Sequence, residues 1–314
     1  MQMNVGVDTD ATGWPTPATQ TGTPPTFVHV VHCDNLRTVV GSAIQALSIG
    51  GREGLQGVLF DLDGVLYHAG QAIPGAAETV AWAREQGIAH LFVTNTTSRS
   101  RSALVEKLAA FGIETDASRI HTPAVAAAAW LHSQQPGEIA LFVREATRAD
   151  FAGLPLLPAV AEQGASYVVI GDLGESWDFP TLNRAFRLLH HNPNAVLIAL
   201  GMTRYWQAAD GISLDVAPFV AALEHASGRR AVVLGKPAKA FFLAAAERLG
   251  LPAGEVVMVG DDAQADVRGA QAAGLRGVLV KTGKFRPTDL TGDARPDGAI
   301  DSIAQLPQWW IGRH

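Results

Sequence analysis

Short, continuously apolar runs alternate with longer helix-like stretches from about residue 55 to the C-terminus of this 314-residue chain. The runs are rich in β-branched residues, which favours strands that are buried on both faces of a parallel sheet. The four run–helix pairs expected to form the core are 58–60 with 75–86, 91–93 with 99–111, 231–234 with 238–249, and 256–259 with 264–273. Right-handed crossovers between such strands predict an α/β fold built on a doubly wound parallel sheet.

A second series of apolar runs interrupts the first. Its members are 139–143, 167–170 and 195–200, with a predicted helix at 180–190. Because predicted core strands resume after this series, we expect residues 134–229 to form an inserted α/β cap. The core is then expected to consist of residues 55–133 plus 230–314.

The first 54 residues have a different composition. They are rich in Thr, Pro and Gly, which predicts a mostly disordered extension, with a short amphipathic helix at 36–49 as its one candidate element. The segment has neither the basic start nor the apolar run of a secretory signal. Cys33 is the only cysteine, so no intrachain disulfide can form, and no catalytic role is expected for it because no base accompanies it.

Composition and charge argue against two classes of partner. The formal net charge is −6 at pH 7, which disfavours a nucleic acid held by phosphate contacts. No run approaches 18 uninterrupted apolar residues, so no membrane span is expected. The lack of disulfides and of metal-binding cysteine clusters favours a cytoplasmic location.

Polar residues directly follow each of the four predicted core strands. The segments are Asp61-Leu62-Asp63-Gly64, Thr94-Asn95, Gly235-Lys236-Pro237 and Gly260-Asp261-Asp262, with Asp266 shortly afterwards. The carboxyl ends of parallel strands share one edge of the sheet, where ligands bind. Two carboxylates about 4 Å apart repel by roughly 4 kcal/mol at an effective dielectric constant near 20. The acidic cluster therefore predicts a bound Mg²⁺, which takes oxygen ligands and usually binds together with a substrate phosphate.

These segments resemble the four ordered motifs of the haloacid dehalogenase-like (HAD) hydrolase superfamily. The motifs are DxDG plus an apolar pair at 61–66, a strand-end Thr at Thr94-Asn95, a Lys before Pro at Lys236, and GDD with a later Asp at 260–266. The stretch 269–285 is also similar to the class IIA branch, in which a large α/β cap lies between the second and third motifs. The resemblance covers about 55–310 and implies a Rossmann-like core with Mg²⁺-dependent phosphatase chemistry.

The resemblance implies a role for each matching residue. Asp61 would attack phosphorus and carry an aspartyl-phosphate. Asp63 would protonate the leaving group and later deprotonate the hydrolytic water, and Lys236 would offset charge on Asp61 and on the phosphate. The remaining implied roles are phosphate binding by Thr94, Asn95 and Lys236, Mg²⁺ binding by Asp61, the Asp63 main-chain carbonyl and Asp261, and support of the ligands by Asp262 and Asp266.

The predicted cap is less informative. Arg204 and Tyr205 are candidates for contact with the leaving group, since Arg suits anionic partners, but a structural packing role is equally compatible with the pattern. The segment 171–174 (GDLG) lacks the third glycine and the context of a dinucleotide-binding loop, so no dinucleotide is expected there.

Several alternatives stay open at the level of sequence. Asp61 and Asp63 are compatible with an ordinary Asp-Gly turn, Thr94-Asn95 with a helix N-cap, and the later aspartates with a favourable helix start. The resemblance implies that the substrate is a phosphomonoester, phosphoramidate or pyrophosphate, carried by a small molecule or a phosphorylated side chain. A phosphotransferase or mutase, or a non-catalytic phosphate- or partner-binding module, would use the same core. Capped relatives commonly dimerise, which makes a homodimer an expectation.

Overall fold

The computed structural model describes residues 54–208 and 211–312. Residues 1–53 of the predicted extension, including the helix predicted at 36–49 and Cys33, lie outside the described residues.

The described residues form a mixed α/β structure. The strands are β1 Gly57–Asp61, β2 Tyr67–His68, β3 Gln71–Ala72, β4 Ala89–Val93, β5 Ile120–His121, β6 Ile139–Phe142, β7 Tyr167–Ile170, β8 Val196–Ala199, β9 Tyr205–Ala208, β10 Gly211–Leu214, β11 Val232–Val233, β12 Val256–Gly260, β13 Arg276–Val280 and β14 Gly298–Ile300. The α-helices are α1 Ala76–Glu85, α2 Arg101–Ala110, α3 Pro123–His132, α4 Glu145–Arg148, α5 Phe179–His191, α6 Val216–Ser227, α7 Lys239–Leu249, α8 Gly269–Ala272 and α9 Leu306–Ile311. A π-helical turn, Ala263–Arg268, runs directly into α8. None of the helices within the described ranges combines the length and the apolar character needed to span a membrane.

Six parallel strands form the larger sheet, in the order β14-β13-β12-β1-β4-β5. β1 lies between β12 and β4, so the chain builds the sheet outward from β1 in both directions. The carboxyl end of β1 is therefore a topological switch point, which is where ligands bind in open α/β sheets. This arrangement confirms the predicted α/β fold with a doubly wound parallel sheet.

Both faces of the larger sheet are buried. Phe60 and Phe92 face a cluster that α1, α2 and α9 complete, whereas Leu59 and Leu91 face a cluster completed mainly by α7 and α8. Successive side chains of a strand point to opposite faces. Burial on both faces therefore requires the continuous apolar runs that the sequence shows.

Four parallel strands form a second sheet, in the order β11-β8-β7-β6. One face packs against α5 and α6, and the other packs against α3. The predicted boundary after residue 133 separates α3 from the sheet on which it packs. The division of the chain at 133/134 and 229/230 therefore stays a prediction.

The expectation that residues 231–234 form a core strand is wrong. Val232 and Val233 pair with Ile198 and Ala199 of β8, which makes β11 the edge strand of the second sheet. The apolar pattern is the same for strands of either sheet, and it does not specify the pairing partner. The consequence for the site is that Lys236 lies on the segment by which the chain returns from the second sheet to α7.

Candidate active site

The side chain of Lys236 joins two carboxylates at the carboxyl edge of β1. Its Nζ lies 2.7 Å from Asp61 Oδ1, at the end of β1, and 2.7 Å from Asp266 Oδ1, in the π-helical turn. All three residues are buried. Water therefore contributes little to stabilising their charges, and each charge depends on its partners. We refer to Asp61, Lys236 and Asp266 as the ion triad.

The electrostatics of the ion triad keep the lysine charged. Burial alone would lower the pKa of Lys236, but the carboxylates of Asp266 and Asp61 outweigh burial and hold that pKa above its usual value. The pKa of Asp61 is raised by burial, which outweighs the opposing effect of Lys236 and is reinforced by Asp261. Burial likewise raises the pKa of Asp266 to about 6. One ammonium therefore does not offset all the negative charge gathered at this edge of the sheet.

Asp261, at the end of β12, adds a third buried carboxylate. Its Oδ2 accepts a hydrogen bond of 2.7 Å from the Lys284 N–H, while its buried Oδ1 has no hydrogen-bond partner among the described residues. Burial raises the pKa of Asp261 to about 6. Carboxylate oxygens of Asp61, Asp261 and Asp266 all lie within 4.8 Å of one another. A divalent cation would satisfy Oδ1 and offset the excess charge, so this set of donors fits Mg²⁺.

Two glycines allow the chain to close around Asp261. A Cβ on Gly64 would lie 2.0 Å from Asp261 Oδ2, and a Cβ on Gly283 would lie 2.1 Å from the same atom. Both glycines have positive φ, 86° and 59°, a conformation that residues with a Cβ rarely adopt. The Thr282 hydroxyl donates a hydrogen bond to the Gly64 carbonyl. The loops after β1 and β13 are thereby held together beside Asp261.

Asp63 lies close to Asp61 in sequence but in a different environment. Its side chain is 71% exposed, and its carboxylate lies 3.5 Å from Nδ1 of His68. It is not a member of the carboxylate cluster that Asp61, Asp261 and Asp266 form. An exposed carboxylate can exchange protons with a ligand or with water, whereas buried Asp61 is held by Lys236. The two carboxylates are therefore suited to different tasks.

Asn95 contacts the main chain of Lys236 with both ends of its side-chain amide. Its Oδ1 accepts a hydrogen bond of 2.7 Å from the Lys236 N–H, and its Nδ2 donates one of 2.9 Å to the Lys236 carbonyl. The sequence-based expectation placed Asn95 with the phosphate-binding groups. In the structure, both polar atoms of the Asn95 amide instead form hydrogen bonds with the main chain of Lys236. Asn95 therefore contributes to the site by positioning Lys236.

The other predicted residues occupy the edge of the site. The Thr94 hydroxyl accepts a hydrogen bond of 3.2 Å from the Thr96 N–H and is only partly buried. The helix that follows has Ser100 as its N-cap, so Thr94 and Asn95 do not cap it. Asp262 caps the π-helical turn by accepting hydrogen bonds from two backbone N–H groups. Its own N–H donates to Asp266 Oδ2 over 3.1 Å, so Asp262 supports Asp266.

A cleft of about 400 Å³ lies between the loop after β4 and the second sheet. Loop residues 95–99 line one side of the cleft, which we call the core side. The other side belongs to the segment predicted to form a cap, so we call it the cap side; it is lined by Arg144, Asp172, Trp206 and Asp215. The Asp172 N–H donates a hydrogen bond of 3.3 Å to the Thr97 hydroxyl, which links the two sides. Because Asn95 in this loop holds Lys236, the cleft adjoins the ion triad and offers space for the part of a ligand that extends beyond a phosphate.

The residues on the cap side of this cleft were not predicted from the sequence. Arg144 and Asp172 follow β6 and β7 within two residues. A polar residue just after an apolar strand was the pattern that identified Asp61 and Asp261, and the same pattern is present here. The predicted residues Arg204 and Tyr205 do not line this cleft. Both are exposed, with the Arg204 guanidinium 5.7 Å from the centre of the Tyr205 ring. Neighbouring strand residues point to opposite sides, which explains why Trp206 lines the cleft and Tyr205 does not.

Two family models match the chain on either side of the second sheet. One is described as haloacid dehalogenase-like hydrolase and matches residues 58–154. The other is described as HAD-hydrolase-like and matches residues 233–306. Together the two matched segments contain the ion triad, Asp63 and Asp261.

Similar proteins of known name match over most of their length. The phospholysine phosphohistidine inorganic pyrophosphate phosphatase of Homo sapiens is 37% identical over 257 residues, which cover 80% of this chain and 93% of that protein. The haloacid dehalogenase-like hydrolase domain-containing protein 2 of Bos taurus is 40% identical over 263 residues, covering 81% and 98%. Among solved structures, the p-nitrophenyl phosphatase from Archaeoglobus fulgidus is 28% identical with a TM-score of 0.73, covering 81% of this chain and 99% of that one.

Proposed function

Because the chain belongs to the haloacid dehalogenase-like hydrolase family, we propose that it is a Mg²⁺-dependent phosphatase that acts through an aspartyl-phosphate on Asp61. The observation that carries this proposal is the buried ion triad beside Asp261, with the exposed Asp63 two residues after Asp61. The substrate is a phosphorylated small molecule with a phosphomonoester, phosphoramidate or pyrophosphate bond. The names of the three relatives described above, each of which contains the word phosphatase or hydrolase, support this chemistry.

The metal would be held by the carboxylates of Asp61 and Asp261 together with the main-chain carbonyl of Asp63. The free Oδ1 of Asp261 supports this assignment, because it is a buried acceptor that the described residues leave without a donor. Asp266 Oδ1 is paired with Lys236, so Asp266 has the role of holding the lysine. When bound, Mg²⁺ would supply Lewis-acid stabilisation of the charge on the phosphoryl oxygens.

In the first half of the reaction, a carboxylate oxygen of Asp61 forms a bond to phosphorus. The bond between phosphorus and the leaving group breaks, and Asp63, in its acid form, donates a proton to the departing atom. The Lys236 ammonium lies against the Asp61 carboxylate throughout, so it stabilises the charge that develops on the transferring group. The products of this half are the aspartyl-phosphate and the free leaving group.

In the second half, Asp63 is a carboxylate and accepts a proton from water. The water oxygen bonds to phosphorus while the bond from phosphorus to Asp61 breaks. This step releases inorganic phosphate and restores Asp61 as a carboxylate and Asp63 as an acid. The exposure of the Asp63 side chain suits this role, because the group must meet first the leaving group and then water.

Asp63→Asn is expected to lower the steady-state rate of phosphate release by roughly 10²–10⁴. p-Nitrophenolate leaves without needing a proton, so phosphorylation of Asp61 by p-nitrophenyl phosphate should survive the substitution better than the second step. Rapid-mixing absorbance should then show a burst of about one p-nitrophenolate per enzyme before a slow steady state. A steady-state rate equal to that of the wild type would exclude Asp63 from proton transfer.

Removal of Mg²⁺ with EDTA is expected to abolish phosphate release, and added Mg²⁺ should restore it. Binding should also stabilise the fold: at 100 times the dissociation constant the gain is about 2.7 kcal/mol, or roughly 4–5 °C in Tm for a protein of this size. Calorimetry with and without Mg²⁺ measures this shift without reference to activity. Asp261→Asn should remove this shift in Tm. Asp116→Asn, which changes an exposed carboxylate that hydrogen-bonds to Ser118, should keep it. An unchanged Tm in the wild type would contradict the metal site.

Two further expectations belong with this proposal. A cytoplasmic location agrees with the absence of cysteine clusters from the sequence. Assembly as a homodimer follows from the resemblance to capped phosphatases.

A further inference from the structure

The charged groups on the cap side of the cleft are not balanced. Arg144 is paired with Asp172, with Nε 3.2 Å from Oδ2. The Gly174 N–H donates a 2.6 Å hydrogen bond to Asp172 Oδ1, so both oxygens of Asp172 are occupied. The charge of Arg144 is thus offset by Asp172.

Asp215 is the second carboxylate on this side, and it lacks such a partner. Its Oδ1 accepts a 2.8 Å hydrogen bond from the Val216 N–H at the start of α6. Within residues 54–208 and 211–312, no lysine or arginine forms an ion pair with it. Burial raises the pKa of Asp215, and the nearby Asp172 carboxylate raises it further. A partly buried carboxylate beside another carboxylate is stabilised by a cation placed between it and solvent.

Trp206 lines the same cleft with a partly exposed indole. The face of a tryptophan ring attracts ammonium and other nitrogen cations more strongly than the other aromatic side chains do. A carboxylate and an indole in one small cleft therefore combine the two groups best suited to bind a positively charged nitrogen. This observation is independent of the charge balance at Asp215 and indicates the same class of ligand.

A second cation of the cleft lies on the opposite side. Arg99 is exposed and belongs to the loop after β4, the loop that also carries Asn95. It is therefore placed to attract the phosphate end of a substrate. The cleft thus has a cationic core side for an anionic group and an anionic, aromatic cap side for the remainder. A leaving group with its own negative charge would be repelled by Asp215.

We propose that the substrate's leaving group carries a positively charged nitrogen, which Asp215 binds through its carboxylate and Trp206 covers with its ring. This inference rests on the proposed phosphatase function and names its substrate class, a small amine-bearing phosphate. The cleft volume of about 400 Å³ lies towards the lower end of the range for small-molecule sites, which favours a metabolite-sized ligand over a protein surface.

The test compares three phosphate esters of similar size in the wild-type enzyme with Mg²⁺. They are 2-aminoethyl phosphate, which is cationic at its leaving group, propyl phosphate, which is neutral, and carboxymethyl phosphate, which is anionic. We expect kcat/KM for the cationic ester to exceed that for the neutral one by at least about 10-fold, the size expected for a hydrogen bond between charged groups. Equal values, or a preference for the anionic ester, would overturn the proposal.

Amino-acid substitutions test which residues cause the preference for the cationic ester over the neutral one. Asp215→Asn keeps the size of the side chain and a good N-cap for α6, so it should reduce the ratio of kcat/KM for the cationic ester to that for the neutral ester by about 10-fold. Trp206→Leu should also reduce the preference. The matched control is Asp178→Asn, at the exposed N-cap of α5 outside the cleft, which should leave the preference intact. An unchanged preference in a folded Asp215→Asn protein would refute the role of Asp215.

A binding measurement separates this inference from the proposed function. In Asp61→Asn protein with Mg²⁺, calorimetric titration should show 2-aminoethyl phosphate binding at least about 10-fold more tightly than propyl phosphate. Adding Asp215→Asn should remove that difference. If the wild type fails to hydrolyse any ester, the phosphatase proposal fails. The ratio of the two dissociation constants still tests whether the cleft has a cationic subsite. A ratio near one would refute the cationic subsite even in an active enzyme.

Discussion

Asp61→Asn is expected to reduce kcat by a factor on the order of 10⁴–10⁶, the scale seen when an enzyme loses its nucleophile. An amide oxygen is a poor nucleophile towards phosphorus, so the aspartyl-phosphate cannot form. Asn has nearly the same shape as Asp, and its carbonyl can still accept a hydrogen bond from Lys236. The contact between Lys236 and Asp266, 2.7 Å in the wild type, should persist. The substitution therefore removes the chemistry while the fold is retained.

Phosphate release from p-nitrophenyl phosphate with Mg²⁺ measures this effect. Mass spectrometry of wild-type protein quenched in acid during turnover should show one added phosphoryl group, which the Asp61→Asn protein should lack. Asp116→Asn is the matched control. Asp116 is exposed, and its carboxylate accepts a hydrogen bond from the Ser118 N–H. Appreciable turnover by folded Asp61→Asn protein would remove Asp61 as the nucleophile.

Lys236→Met is expected to impair both activity and stability. Methionine matches the length of the side chain but leaves the buried carboxylates of Asp61 and Asp266 without their counterion. Breaking a buried ion pair by removing one partner typically costs about 3–5 kcal/mol in the free energy of unfolding. Loss of one preorganised electrostatic contact to the transferring group should also lower kcat by roughly 10²–10³.

Urea unfolding measures the stability change, and Lys281→Met provides the control. Lys281 Nζ also lies 2.8 Å from a carboxylate, that of Asp301, but this ion pair is at the surface, so its loss should cost at most about 1 kcal/mol. Added Mg²⁺ should reduce the loss in Lys236→Met, because the carboxylates regain a counterion. Equal effects of the two substitutions on stability would show that Lys236 is not the counterion of the site.

The position of the site could be predicted from sequence because it depends on strand ends. Asp61 and Asp261 each end an apolar run that is buried on both faces, and parallel strands bring such ends to one edge. Neither the distance between β1 and β12 along the chain nor the order of strands was needed for that conclusion. Repulsion between the carboxylates then predicted a bound Mg²⁺, which stays a prediction, and the structure places Lys236 beside Asp61 and Asp266 as a counterion.

The parts that could not be predicted depend on partners distant in sequence. The two valines of β11 fit either sheet, and only their pairing with β8 decides between them. The role of Asn95 depends on which main-chain atoms lie opposite its amide, 141 positions away. In the segment predicted as a cap, the sequence offered Arg204 and Tyr205 as candidates, but it did not show the direction of each side chain, and Trp206 is the residue that lines the cleft.

The place of β1 at the centre of the larger sheet has a consequence for the newly synthesised chain. At about 5–20 residues per second, a ribosome needs roughly 10–40 s to pass from Asp61 to Asp261, because the second sheet is made in between. During that interval β1 has β4 on one side, but its other edge lacks β12, which begins at Val256. A strand with an apolar run and one unpaired edge is a template for association with other chains. That edge of β1 therefore stays open to association until β12, which lies in about the last fifth of the chain, has emerged from the ribosome.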